Sequence, residues 1–166
     1  MSTAPRYPSY PTPVVPASLA APAAVESRHE AAWQRLQAGD LDGAAREFQR
    51  LLVGVPGFYP AAAGWGFAAL AGRDYDQAGD LFERALAADD AYLPAWQGLA
   101  TTRLEQGREA DALRPLERIA ALDPSRALEL RSRIELLRFH QVQALIEASR
   151  RSREAGRLPE ATEALE

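Results

Sequence analysis

Asp74-Tyr-Asp-Gln-Ala78-Gly-Asp-Leu-Phe82-Glu-Arg-Ala85-Leu-Ala-Ala-Asp-Asp90 is followed, 34 residues on, by Arg108-Glu-Ala-Asp-Ala112-Leu-Arg-Pro-Leu116-Glu-Arg-Ile119-Ala-Ala-Leu-Asp-Pro124. Ala78 thus matches Ala112, Phe82 matches Leu116, Ala85 matches Ile119 and Asp90 matches Pro124. The same offset runs backwards to Ala44, Phe48, Leu51 and Pro56. Residues 59–126 therefore hold two adjoining copies of one unit, and an earlier copy precedes them. A fixed period of this length with small, aromatic and proline landmarks marks a helix-turn-helix repeat.

The helical reading stands on physical grounds as well. Residues 61–71 and 95–104 are mostly helix formers, and Gly39, Gly72 and Gly107 stand where a helix must stop and turn. Ala44, Ala78 and Ala112 are small because two helices approach to about 8 to 10 Å only where the contact residues are small. Phe48, Phe82 and Leu116, one turn later, fill the space beside them. No stretch alternates apolar and polar residues as a strand would.

These landmarks resemble the tetratricopeptide repeat, whose pattern runs Trp, Leu-Gly and Tyr on a first helix and Ala, Phe, Ala and Pro on a second. Residues 93–126 fit best, with Trp96, Leu99, Ala100, Gly107, Ala112, Leu116, Ile119 and Pro124; Pro115 is a departure expected to bend the second helix. Residues 59–92 keep Gly66, Ala78, Phe82 and Ala85, but Ala62, Trp65, Ala69 and Asp90 replace family residues. Residues 25–58 keep the second helix through Ala44, Phe48 and Pro56. Their first helix carries Arg28 and Arg35 where large apolar residues pack, as in a capping repeat facing solvent or the N-terminal tail. The resemblance implies an all-α, right-handed superhelix of antiparallel helix hairpins.

Composition bounds the function. The chain has 166 residues, enough for three to four repeats, and about three are needed for a stable stack. A formal net charge of −4, mixed in sign, argues against a nucleic-acid surface. All 19 cationic side chains are Arg, and Lys, Asn and Cys are absent, usage that fits a GC-rich bacterial genome. Without cysteine there is no disulfide framework or thiol chemistry. No run approaches the roughly 18 apolar residues of a membrane span.

Residues 1–24 are different material, with Pro5, Pro8, Pro11, Pro13, Pro16 and Pro22 interleaved with Tyr7, Tyr10, Val14 and Val15. Proline at this density forbids a helix and favours an extended polyproline II strand. The stretch is not a signal peptide. It resembles the spacer that follows the lipid-attached cysteine of mature bacterial lipoproteins, without the cysteine, which implies a trimmed export signal and an envelope-tethered chain. A cytoplasmic chain is the alternative.

Helices are expected in pairs over residues 24–38 and 41–53, 58–71 and 75–88, and 92–106 and 109–122. Residues 125–155 contain no Gly or Pro and read as one helix of about 45 Å. Leu130, Ile134, Leu137, Ala144 and Ala148 give it one apolar stripe, and Leu128, Leu136, Phe139, Val142 and Ile146 a second, so it wants two partners. Gly156-Arg-Leu-Pro159-Glu-Ala161 matches Gly107 to Ala112, placing a turn there and a second helix from near Pro159. Residues 127–166 then read as a long helix and a truncated fourth repeat, and the chain as the N-terminal piece of a longer protein.

No constellation for catalysis, cofactor or metal survives scrutiny. His29 and His140 each sit in an expected helix without a Cys, Ser or second His placed to build a triad or a metal site. Asp40-Leu-Asp42-Gly43 lacks the remaining ligands of a calcium loop, and Gly64-Trp65-Gly66 lacks the strand of a dinucleotide site, so its glycines allow close helix packing instead. Arg150, Arg151 and Arg153 alternate with Glu147 and Glu154 as on a solvated helix face.

The resemblance further implies a concave groove lined by the first helix of each repeat and holding an extended peptide or a partner's helix. On those helices Trp33, Phe67 and Thr101 form one column, His29, Ala63 and Gln97 the next, then Glu30, Gly64 and Gly98. Such a groove is aromatic and small rather than charged, and the Lys and Asn by which chaperone adaptors hold a terminal carboxylate are missing. The expectation is a non-catalytic protein- or peptide-binding scaffold. Its alternative is a self-assembling module joined through residues 158–165 and the long helix. Residues 7–15 are expected against apolar repeat surface near Trp33 and Phe67, of their own chain or of a second copy, with Tyr7 and Tyr10 as anchors. The rival view is a solvated tether.

Overall fold

The computed structural model describes residues 4–163, in which seven α-helices follow one another and no strand occurs. They are α1 (Ala23–Gln37), α2 (Leu41–Gly54), α3 (Tyr59–Ala71), α4 (Tyr75–Ala88), α5 (Leu93–Glu105), α6 (Glu109–Leu122) and α7 (Pro124–Glu163). Each helix packs on the next, and α1 also touches α3, as α3 touches α5. Three antiparallel hairpins are thereby stacked side by side.

The 34-residue period reappears as repeated local chemistry. Asp40 and Asp74 each precede a second helix and accept a backbone hydrogen bond three residues on, from Gly43 N–H at 2.9 Å and from Gln77 N–H at 3.1 Å. Arg108, at the same place in the third hairpin, gives no such cap. Asp89 and Asp123 likewise accept from Ala91 N–H and Ser125 N–H where one hairpin hands over to the next. Such side-chain acceptors satisfy donors that the helix start leaves free.

The turn glycines divide differently from the sequence reading. Gly39 and Gly107 have φ of 91° and 72°, but Gly72 stays right-handed, and the left-handed position of the middle hairpin falls on Arg73 at φ 62°. α3 ends at Ala71, in 34-residue register with Gln37 and Glu105, so Gly72 stands one residue ahead of the left-handed position.

Packing is set by glycine against phenylalanine. A Cβ on Gly64 of α3 would stand 2.5 Å from the Phe48 ring of α2, and one on Gly98 of α5 would stand 2.2 Å from the Phe82 ring of α4. Gly64 and Gly98, like Phe48 and Phe82, are one period apart, so the same lock joins each hairpin to its successor. Ala44, Ala78 and Ala112 are fully buried at the helix crossings. α6 runs unbroken through the buried Pro115. Arg28 and Arg35 are exposed and pair with Glu47 and Asp40.

Leu130, Ile134 and Leu137 bury the first part of α7 against α6, whereas Leu136, Phe139, Val142, Leu145 and Ile146 stay exposed. The expected turn at Gly156 and new helix near Pro159 do not form: α7 continues to Glu163. No left-handed residue stops it there, and its Ala, Arg, Leu and Glu are good helix formers. The side chains of residues 158–165, expected to offer an assembly surface, lie outside the described residues.

Candidate functional site

Because α1, α3 and α5 stand side by side, they share one face, and the N-terminal segment lies on it. The Arg6 N–H donates to the Gln37 carbonyl at 2.8 Å. The Gln37 side chain brackets the next peptide unit: its Oε1 accepts from Tyr7 N–H at 3.0 Å, and its Nε2 donates to the Tyr7 carbonyl at 3.1 Å. One glutamine at the end of α1 thus offers the segment what an adjacent strand would. Farther along, the Tyr92 hydroxyl at the start of α5 donates to the Val14 carbonyl at 2.8 Å.

Rings supply the apolar half of the contact. Tyr7 and Tyr10 stack at 5.2 Å with planes 11° apart, and the Tyr10 ring lies 5.3 Å from Phe67. Phe67 meets Trp33 edge-on at 5.7 Å and Phe82 at 4.8 Å, so the column runs from the segment into the core. Pro13 is fully buried, and the Arg6 side chain lies over Gly39, where a Cβ would stand 2.8 Å from its Nη1. The segment is not one uninterrupted polyproline strand. It turns at residues 7–10, where Tyr10 N–H donates to the Tyr7 carbonyl, and coils into a 3-10 turn at Ala17–Leu19.

The residues marked out by sequence fall into two groups. Trp33 and Phe67 are buried beside the segment, and Gln97 and Thr101 are half-buried on α5, with the Thr101 hydroxyl donating to the Gln97 carbonyl at 3.0 Å. Ala63 and Gly64 are buried within helix packing, Gly64 against Phe48. His29 is also a packing residue, 3 % exposed and flanked by the Phe48 and Phe58 rings, each 5.4 Å away. Its Nε2 has no hydrogen-bond partner. Residues 12–15 line a shallow cleft together with His29, Glu26 and Glu30.

Burial sets the titration of these groups. It lowers the His29 pKa, against the weaker pull of the Pro60 carbonyl and of Glu30, and a neutral imidazole results at pH 7. Burial also pushes the Tyr10 hydroxyl up to about 12, with Glu105, Tyr7 and Tyr75 adding to it. Tyr92 is raised for the same reason, then by Tyr59 and Asp89. All three groups are held uncharged, which suits a face built for stacking and neutral hydrogen bonds.

Gln37 and Tyr92 were not singled out by sequence. A lone glutamine near a helix end carries no periodic signal, and its partner lies 30 residues away. Among the described residues no cluster of His, Asp and Glu could hold a metal ion, and no helix is long and apolar enough to cross a membrane.

Comparison with known proteins agrees with this architecture. Residues 69–134 match the family described as tetratricopeptide repeat. No curated protein sequence matches the chain. Among solved structures it is similar to the Yersinia enterocolitica type III secretion chaperone SycD in complex with a peptide of the translocator YopD, at TM-score 0.64 and 20 % identity, over 74 % of this chain and 98 % of that one. It is similar also to the first tetratricopeptide domain of Spaghetti (RPAP3) bound to an HSP90 peptide, at TM-score 0.63 and 15 % identity, over 71 % of this chain and 95 % of that one. A third is the TPR2B domain of yeast Sti1 in its pHsp70 complex, at TM-score 0.60 and 16 % identity, over 72 % of this chain and 96 % of that one. At these identities the likeness is one of fold, and it is residues 69–134 that carry the match to the tetratricopeptide-repeat family.

Proposed function

We propose that the chain is a non-catalytic scaffold that binds an extended peptide or protein segment in the groove formed by α1, α3 and α5, within three repeats at residues 25–58, 59–92 and 93–126. One observation carries this reading: that face already holds an extended segment by main-chain hydrogen bonds from Gln37 and Tyr92 and by ring contacts to Phe67. Structural neighbours of the same fold hold peptides from YopD and HSP90, which supports it. Trp33, Phe67, Gln97 and Thr101, with Gln37, are the residues that would meet the partner.

Selection of binders from a random peptide library against the full chain tests the reading. Enriched peptides should lose about tenfold in affinity, roughly 1.4 kcal/mol, to Gln37→Ala and to Thr101→Arg. Val53→Arg, on the exposed side of α2, should leave them unaffected. Binders indifferent to all three substitutions would sink the groove.

A second reading, a self-assembling module, is favoured by the exposed apolar run Leu136, Phe139, Val142 and Ile146 on α7. Sedimentation over a range of concentrations separates the two. A chain that stays monomeric when concentrated leaves no room for self-assembly, and Phe139→Glu should dissolve any oligomer that does form.

A further inference from the structure

The segment on the groove is a thin layer. Pro5, Pro8, Ser9, Thr12 and Val14 are exposed, whereas Tyr7, Tyr10, Pro11, Pro13 and Val15 turn towards the helices. Its hold therefore rests on two stacked rings, one buried proline and a few main-chain hydrogen bonds. The bonds from Gln37 and Tyr92 reach backbone atoms and accept any extended sequence. Selection is left to the pockets for the rings and for Pro13. Between Val15 and α1 the chain is short and pinned, with the 3-10 turn at Ala17–Leu19 and with Leu19 and Ala21 packed on the core. A segment tied so closely to its site acts there at about millimolar effective concentration.

Resting on the reading that the groove binds peptides, we infer that its partner is a proline-rich segment of another protein with two tyrosines three residues apart, turned between them as residues 7–10 are, and that the chain's own tail is that partner's tethered competitor. The tail spells out the chemistry: Tyr7 and Tyr10 for the aromatic column, and Pro13, three residues later, fully buried against the helices. A second copy of the chain is the weaker occupant, because its identical tail gains no contact by exchange. Another protein has room to gain. Gln97 and Thr101 stay half-exposed at the α5 side, and among the described residues neither makes a hydrogen bond to the tail. A longer segment reaching them displaces the tail by its added contacts; one of the tail's own length does so only in excess of the tail's effective concentration.

The test uses the full chain carrying Tyr7→Ser and Tyr10→Ser, which frees the groove and leaves every groove residue native. The probe is a fluorescent synthetic peptide of residues 4–16. The double variant, its folding checked by circular dichroism, should bind this peptide about tenfold more tightly than the unaltered chain does, because the competitor has been removed. Gln37→Ala in the same background should abolish that gain, and a peptide with serine at both tyrosine positions should fail to bind. Equal binding of the two peptides overturns the inference. If neither tail peptide binds while library peptides still bind through Gln37 and Thr101, the peptide-binding reading survives and this one falls. Tail-exchanged dimers in sedimentation would assign the groove to a second copy and overturn the partner named here. Should the double variant fail to fold, the unaltered chain decides. Excess tail peptide should speed amide exchange at Arg6 and Tyr7, and unchanged rates would end the competitor role.

Discussion

α1 and α3 occupy equivalent places in successive hairpins, yet they live in different surroundings. Of the 13 residues of α3, 11 are buried, because α2, α4, α1 and α5 enclose it. Of the 15 residues of α1, only His29, Ala32, Trp33 and Leu36 are buried. Among the described residues no hairpin packs on the outer side of α1, and the tail covers part of the face left open. An interior repeat is thus specified by close steric fit, and the end repeat by a loose cover of rings and backbone hydrogen bonds. The two should respond to different perturbations.

The sharpest break should come from steric change inside. Gly64→Val drives a Cβ into the Phe48 ring and should cost about 3 kcal/mol in a denaturant melt. Ala78→Leu and Ala112→Leu should each cost about 1 to 3 kcal/mol, whereas Ala31→Leu on the exposed side of α1 and Ala88→Leu at the end of α4 should do little. Equal losses at all five positions would erase the distinction between enclosed and open helices.

Acid should act on α1 first. His29 is held neutral with its pKa below 6.5, so the unfolded chain takes up a proton that the folded chain refuses. Stability is therefore complete above about pH 6.5 and falls as the pH drops below it, at no more than about 1.4 kcal/mol per pH unit from this group. The Pro60 carbonyl and then Glu30 favour the charged ring and soften the fall. His29→Leu should flatten this part of the pH profile, read from melting temperatures between pH 7 and pH 5.

Tyr10→Ala removes the ring from Phe67 and should cost about 1 kcal/mol. Hydrogen exchange should quicken at Arg6 and Tyr7 and leave the amides of α3 unchanged. The smallest expected effect is a gain. Arg73→Gly relieves a left-handed backbone that glycine adopts freely, and should raise stability by about 1 kcal/mol. A neutral result would mean that the turn stores no strain.

Helix positions were legible in the sequence because the signals for them are local. Ala44, Ala78 and Ala112, with Phe48, Phe82 and Leu116, report a helix crossing that each hairpin rebuilds for itself, and the observed helices start and stop within about a residue of those expected before α7. Gln37 was not legible, because its role exists only once residue 7 has come back across α1. His29 misled for a related reason. Its place on the helix suggests an open column, but Phe48 of α2 and Phe58 just ahead of α3 close over it. The continuation of α7 past Pro159 was missed because likeness to Gly107 was read as a turn, while good helix formers flank it.

The capping asymmetry between hairpins gives the molecule a direction. Asp40 and Asp74 fasten the starts of α2 and α4, but α6 begins at Arg108 without a side-chain acceptor and loses a further helical hydrogen bond at Pro115. Elements in a solenoid hold only their neighbours, so stability is a chain of local links and the weakest one gives way first. α6 thus starts with less side-chain support than α2 and α4, while at the other end the tail laces α1 to α3 and α5 through Tyr10 and Tyr92. Under heat, α6 should therefore loosen before α4, an order that amide exchange along the two helices would read.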